Sequence, residues 1–195
     1  TLTDDDRTVI GNTTPKFSGG FGLNATFKGF DVSAFFNFMY DFDVFNANKV
    51  MMTTWASNNY NNFSMDISAA KRWRNFDMGN EIRYSPEILA EFNKNATMWN
   101  PTSIGRPIAM SYAVEDGSFL RLNTATIGYT LPRAWTNKVG LSRVRFYASG
   151  YNLFTITGYS GYDPEVDIAT GLTPNIDNNR YPRSRTYTFG VQLTF

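Results

Sequence analysis

Apolar and polar residues alternate with a period of two in separate stretches of this chain, the spacing of a strand with one apolar and one polar face. The clearest stretch runs from Ser184 to Phe195. Arg185, Tyr187, Phe189, Val191, Leu193 and Phe195 fall on one side, and Ser184, Thr186, Thr188, Gly190, Gln192 and Thr194 on the other. Apart from Arg185 at its outer end, the first side is wholly apolar and the second small or polar. Near the start, Phe17, Gly19, Phe21, Leu23, Ala25 and Phe27 alternate with Ser18, Gly20, Gly22, Asn24, Thr26 and Lys28. The alternation resumes on even positions with Phe30, Val32, Ala34, Phe36, Phe38, Tyr40, Phe42 and Val44, against partners that include Asp31, Ser33, Asn37, Asp41 and Asp43. This predicts a hairpin with a tight turn around Lys28-Gly29. Its arms, at about 12 and 15 residues, exceed the usual 5 to 6 of soluble strands. They suit tilted strands crossing a bilayer, which need about 9 to 11 residues.

Two further strands are less regular. Between Ser118 and Leu131, Ala125, Ile127, Tyr129 and Leu131 oppose Thr124, Thr126, Gly128 and Thr130, whereas Leu120 and Leu122 stand in the other phase. A bulge near Asn123 reconciles the two halves, because one extra residue flips every later side chain. Between Arg143 and Thr155, Val144, Phe146 and Ala148 alternate with Arg145, Tyr147 and Ser149, and the pattern slips around Gly150. Five strands result.

The connections alternate in length. Lys28-Gly29 is tight and Pro132–Ser142 is short. The stretches from Phe45 to Gly117, about 70 residues, and from Thr157 to Arg183 are far beyond ordinary loop lengths. Membrane barrels combine short periplasmic turns with long extracellular loops. The strands are thus expected to run down, up, down, up, down, placing Phe195 on the periplasmic side and residues 45–117 in a long extracellular loop insertion.

Composition fits this reading. Aromatics reach 16%, with 17 Phe and 11 Tyr, and there is neither Cys nor His. Thiolate metal sites, disulfides and His-based triads are therefore excluded from this chain. A net charge of +1 offers no footprint for nucleic acid. No apolar run approaches the ~20 residues of a membrane helix. The mean hydropathy of −0.33 is compatible with membrane strands, in which every second residue faces water.

Five strands cannot close a membrane barrel, for which the smallest bacterial examples use about 8. An open sheet in lipid would strand two edges of backbone N–H and C=O groups. Closure must come from strands outside this sequence. Thr1-Leu2-Thr3 reads as mid-protein loop, and no export signal is recognisable, so the expected source is an upstream part of a larger parent chain.

Several segments carry a resemblance to a known family. Asp6-Arg7-Thr8-Val9-Ile10-Gly11-Asn12 followed by Pro15-Lys16-Phe17 resembles a loop-to-strand motif near the end of SusC/RagA-type TonB-dependent proteins. Glu115-Asp116-Gly117-Ser118-Phe119-Leu120-Arg121-Leu122, followed by Ile127-Gly128-Tyr129-Thr130-Leu131-Pro132, is similar to a second. Tyr151-Asn152-Leu153-Phe154-Thr155 with Gly161-Tyr162-Asp163-Pro164-Glu165, then Tyr181-Pro182, completes the set. Individually weak, the motifs are specific in this order, and they span the chain except the insertion from Asn46 to Ile108. The resemblance implies an all-β antiparallel transmembrane β-barrel of about 22 strands, of which this chain supplies the C-terminal five. It also implies an N-terminal plug outside this chain, TonB as energy source, a SusD-like surface lipoprotein as partner, and oligosaccharides or peptides as cargo. No cofactor is implied.

Candidate residues follow from these two lines. Phe195, an aromatic ending an amphipathic strand, resembles the signal read by barrel-assembly machinery; an ordinary interfacial aromatic would look the same. The loop aromatics Trp55, Tyr60, Trp73, Trp99, Tyr159, Tyr162 and Tyr181 offer flat apolar faces for a sugar ring, a peptide side chain or the lipoprotein, or else pack the loops. Arg143 and Arg145 share a phase with Tyr147 and should point into the lumen, lining it or pairing with plug carboxylates. Lys71-Arg72-Trp73-Arg74 can meet an anionic surface or simply be solvated. Asp163-Pro164-Glu165-Val166-Asp167 gathers three carboxylates, a set open to Ca²⁺. It lacks the glycine and spacing of an EF-hand and reads rather as a structural turn or solvated loop, as does Asp4-Asp5-Asp6.

Nutrient import across the outer membrane is the function these features favour. A siderophore receptor or a secretion-type translocon shares the barrel. An outer-membrane hydrolase would need an Asp/Glu pair that no spacing here provides, and a soluble β-sandwich does not match the length and aromatic face of the Phe30–Val44 strand.

Overall fold

The computed structural model describes residues 5, 7–55, 62–68, 70–74, 86–102, 108–166 and 175–195. In chain order its elements are β1 (Phe17–Phe27), β2 (Phe30–Tyr40), β3 (Asp43–Asn46), helix α1 (Ala47–Thr53), helix α2 (Pro86–Asn93), β4 (Val114–Asp116), β5 (Phe119–Thr130), helix α3 (Arg133–Thr136), β6 (Arg143–Thr157), β7 (Ile176–Asp177) and β8 (Thr186–Thr194). They divide into two compact units. One comprises Gly11–Val44, Glu115–Asn175 and Arg180–Phe195; the other comprises Thr1–Ile10, Phe45–Val114 and Ile176–Asn179.

The first unit is a single antiparallel sheet in the order β1-β2-β5-β6-β8, in which every long strand pairs with its predecessor. All five expected strands are present. The β1–β2 turn has positive φ at both central residues, 46° at Lys28 and 89° at Gly29, as a type I′ turn requires. Glycine is needed there for a second reason: a Cβ on residue 29 would stand 2.8 Å from the Thr130 carbonyl oxygen.

Two features modify the expected pattern. β2 stops at Tyr40 instead of continuing to Val44, because Asp41 takes φ 60°. Asp41 is held there by its N–H donating to Ser118 Oγ at 2.9 Å and by an ion pair with Lys16. The bulge falls where the phase change places it. Phe35 and Phe36 of β2 face Thr124 and Leu122, leaving Asn123 as the extra residue. On the other side Leu122 faces Phe154 and Thr124 faces Tyr151, so Asn152 and Leu153 of β6 together lie opposite the single Asn123, with Asn152 at φ 52°.

With these irregularities the register forms continuous rows across the sheet. Phe21, Phe36, Leu122 and Phe154 share one row, and Ala25, Val32, Ile127, Ala148 and Phe189 another. Phe27, Phe30, Tyr129, Phe146 and Val191 make a third. The opposite face carries Asn24, Ser33, Thr126, Ser149 and Thr188, then Thr26, Asp31, Gly128, Tyr147 and Gly190.

A small core closes the long-loop end of this unit. Phe42, Val44, Phe119, Tyr159 and Val166 are buried together, with Met39 against them. Phe42 and Phe119 meet edge-on at 6.4 Å, a favourable geometry for the two ring quadrupoles.

The second unit holds most of the 45–117 stretch, which carries short elements that alternation alone does not foretell. Asn46 caps α1 by accepting from the Lys49 N–H at 3.4 Å, and Pro86 takes the first position of α2, where its missing N–H costs no helical bond. Asn93 at the end of α2 is buried and fully engaged. Its amide donates to the carbonyls of Arg74 (2.9 Å) and Leu89 (2.8 Å), and its oxygen accepts from the Arg74 N–H (2.7 Å). Phe45 and Asn46 pair in parallel with Ile176 and Asp177 of β7.

Candidate functional site

The sheet's two faces have opposite chemistry. On the apolar side, Phe189 is 79% exposed, Phe27 70% and Phe17 64%, and Leu23, Ile127, Val191 and Leu193 are each at least half exposed. In water, so large a contiguous apolar surface marks a face meant for another apolar phase or partner. Two of the rows extend over all five strands and the third over four, with no polar interruption, and their strands have the length of a tilted membrane crossing.

The polar side is knitted together. Arg145 lies on the face opposite Val144 and Phe146, and its guanidinium grips Asp31 with Nε to Oδ1 at 2.9 Å and Nη2 to Oδ2 at 2.5 Å. This bidentate pair crosses Gly128, where a Cβ would stand 2.5 Å from the guanidinium and 2.6 Å from the carboxylate. Arg143 is exposed and donates to Thr130 Oγ1 at 3.5 Å. Thr126 and Ser149 hydroxyls meet across strands at 2.8 Å.

The long-loop end of the same face holds a fully buried charge. Arg121, 2% exposed, projects from β5 and forms an ion pair with Asp163 at 2.5 Å and with Glu165 at 3.4 Å. Glu165 in turn pairs with Arg183 at 2.9 Å. Asp163 also accepts from the Glu165 N–H at 2.9 Å, closing a tight Asx turn around Pro164. Two of the motif segments therefore meet in space. The loop is clamped at a second place by Ser160, whose N–H and hydroxyl donate to Glu115 at 3.0 and 2.9 Å. The structural-turn reading of Asp163 and Glu165 is what the geometry displays, with Arg121 as the partner that sequence spacing, 42 residues away, did not disclose. Asp167, like Asp4 and Asp6, is outside the described residues.

The aromatic candidates are dispersed. Tyr159 is 6% exposed and belongs to the small core, whereas Tyr162 and Tyr181 are 82% and 92% exposed. In the second unit Trp55 and Trp73 are partly exposed, and Trp55 tilts against Phe63 with centroids 5.9 Å apart. Trp99 is half-buried, donating its indole N–H to the Thr53 carbonyl at 3.1 Å and meeting Tyr112 edge-on at 5.2 Å. Lys71, Trp73 and Arg74 border the Asn93 junction, and Lys71 lies 3.7 Å from Asp66. Tyr60 is outside the described residues. Tyr112 donates to Asp66 at 2.9 Å; this bond, the Ser64 hydroxyl and the nearby Lys71 and Lys49 hold the Asp66 carboxyl below the usual carboxylate range against the opposing effect of burial.

A meander of long strands with bare apolar rows on one face and ion pairs on the other is part of the wall of a membrane β-barrel. No protein-family profile matches the chain. Individual relatives do. A TonB-dependent receptor of Formosa agariphila is 33% identical over 97% of this chain, and the TonB-dependent receptor SusC of Bacteroides thetaiotaomicron is 31% identical over 76%. Solved structures of the RagAB peptide importer superpose over the whole chain, with TM-scores of 0.71 in the open-open state and 0.74 in the closed-closed state, at 26% and 25% identity. The chain belongs to the SusC/RagA family of TonB-dependent receptors. It spans 17% of the Formosa receptor and 19% of each RagAB chain.

Proposed function

We propose that this chain is a portion of the barrel wall of a TonB-dependent outer-membrane importer of oligomeric nutrients, glycans or peptides, that works with a SusD-like surface lipoprotein. The observation that carries the reading is the continuous apolar face, Phe21 to Phe154 and Ala25 to Phe189, joined to relatives that are receptors and importers. The apolar rows meet lipid hydrocarbon, and the polar face lines the lumen, where Arg143 and Arg145 tune the wall or meet the plug. The short turns lie in the periplasm. Residues 45–117 form an extracellular insertion, in which Trp55, Trp73 and Trp99, with Tyr162 and Tyr181 of the other unit, are candidates for touching cargo or lipoprotein; the burial of Tyr159 favours packing. The chain performs no covalent chemistry in this role. TonB acts through regions outside it.

The test is purification of the intact parent protein from its native membrane in detergent, followed by mass spectrometry of what travels with it. A larger polypeptide containing this sequence, a surface lipoprotein and a bound oligomer are expected. A barrel that consistently arrives without a lipoprotein would overturn the partnership and favour a siderophore receptor or translocon. Phe195 is assigned to barrel assembly: its deletion is expected to lower the folded, heat-modifiable fraction in membranes, and an unchanged fraction would refute that role.

A further inference from the structure

The charged side chains of the two short connections of the sheet are all basic. Lys28 occupies the β1–β2 turn, Arg133 and Lys138 lie between β5 and β6, and Arg143 opens β6, while neither connection contains Asp or Glu. The ion pairs formed among the described residues use other cations, and the nearest acid, Asp31, is already gripped by Arg145. The long-loop end of the same sheet carries both signs, with Asp41, Asp163 and Glu165 paired to Lys16, Arg121 and Arg183.

Lys28, Arg133 and Lys138 stand in the connections that border the apolar face, whereas Arg143 belongs to the polar face. The row Phe27, Phe30, Tyr129, Phe146 and Val191 lies next to the β1–β2 turn, and the Lys28 ammonium rests 5.2 Å from the centre of the Phe27 ring. Trp135, 61% exposed, sits beside Arg133 on α3. Phe27, Lys28, Phe30, Thr130 and Arg143 border a recess of about 300 Å³ at this end, together with Asp31, whose carboxylate is held by Arg145. A band of hydrocarbon-compatible side chains that passes directly into cations and an exposed indole matches the depth profile of a bilayer: acyl chains, then glycerol, then phosphate. A soluble polyanion would match the charge and leave the adjoining apolar row unexplained.

We propose that the short-turn end is a seat for anionic phospholipid headgroups of the adjoining leaflet, with Lys28, Arg133 and Lys138 on the phosphates and Trp135 at the acyl–headgroup boundary. The proposal rests on the barrel reading above. A cation near an anionic membrane surface strengthens association by roughly fivefold before screening. Shared among several lipids and reduced by salt, three of them give an expected selectivity of roughly three- to tenfold.

The experiment reconstitutes the intact parent protein with spin-labelled phosphatidylglycerol or phosphatidylcholine and measures the motionally restricted fraction of each. Phosphatidylglycerol is expected to be favoured roughly three- to tenfold, with the preference shrinking as salt is raised and falling to near parity in the K28Q/R133Q/K138Q variant. Each single Gln variant should remove part of the preference, which keeps the test decisive if the triple variant folds poorly. Equal restriction of both lipids by the native protein, or a preference that survives all three substitutions, would overturn the proposal while leaving the barrel intact. Abolition of the preference by millimolar glycerol phosphate would also overturn it, by identifying a soluble phosphate as the occupant. Failure to restrict either lipid would overturn the barrel reading itself.

Discussion

The two faces of the five-stranded sheet share a backbone and a register, yet they solve opposite problems. On one side Ile127, Ala148 and Phe189 stand in a row with nothing polar near them; one residue along, Gly128, Tyr147 and Gly190 share a row with the charged Asp31. In a soluble sheet the apolar face would be the covered one. Here the charged face holds the bonded and buried groups and the apolar face is bare, so the ordinary relation between burial and polarity is inverted. The inversion means that stability comes from two sources, hydrocarbon outside and electrostatics inside, and each can be attacked separately.

The largest effect is expected at Arg121. Its replacement by Ala leaves Asp163 and Glu165, 12% and 14% exposed, without their buried partner. Breaking a buried pair from one side costs about 3–5 kcal/mol. Thermal unfolding of the reconstituted parent protein checks this, and Arg121→Met combined with Asp163→Asn and Glu165→Gln should recover most of the loss. Next comes the apolar face. Ile127→Lys near the middle of its row is expected to cost about 2–4 kcal/mol in a bilayer, whereas Thr188→Lys on the polar face should cost well under half of that. Equal penalties on the two faces, read as folded fraction in liposomes, would break the comparison.

A smaller effect tests the polar face alone. Gly128→Ala pushes a methyl into the Arg145–Asp31 pair and is expected to cost about 1–3 kcal/mol. Gly22→Ala is the control, since its Cβ would meet only ordinary contacts at 3.7 and 3.8 Å. Its effect should fall within about 0.5 kcal/mol. The smallest effect belongs to the inserted unit. The Asp66 carboxyl is lowered in the folded state, so its contribution is present above the ordinary carboxylate range and is lost as pH falls through its lowered value. Proteolytic resistance of the 62–112 region should therefore decline on acidification below that range. Asp66→Asn should flatten the decline, and since the side chain is 47% exposed the effect should be modest and weakened by salt.

The sheet was legible because period-two alternation is a local signal. The bulge at Asn123 was legible for the same reason: Leu122 and Ala125 could share a face only if one residue were extra. Asp41 was not, since its left-handed turn depends on Ser118 and Lys16, which alternation does not weigh. The Arg145 side chain could be assigned to the polar face, but Asp31 as its partner required strand order, because the two are 114 residues apart. The Arg121 clamp escaped for a like reason, with its motif segments visible and their meeting not. In the insertion, the helices depend on caps such as Asn46 and a first-position Pro86 that are too short to leave a periodic trace.

On this reading one face of the sheet meets lipid and the other water. The chain has no Cys, so single cysteines introduced into it can carry nitroxide labels in the intact parent protein once any thiols elsewhere are removed. Labels at Val32, Ile127 and Phe189 would be compared with labels at the neighbouring Ser33, Thr126 and Thr188 in proteoliposomes, using oxygen and a water-soluble nickel chelate as relaxing agents. Strong oxygen and weak chelate access is expected at the first three positions, and relatively greater chelate and weaker oxygen access at the second three. Equal chelate access at both sets, or loss of the period-two alternation, would contradict that reading.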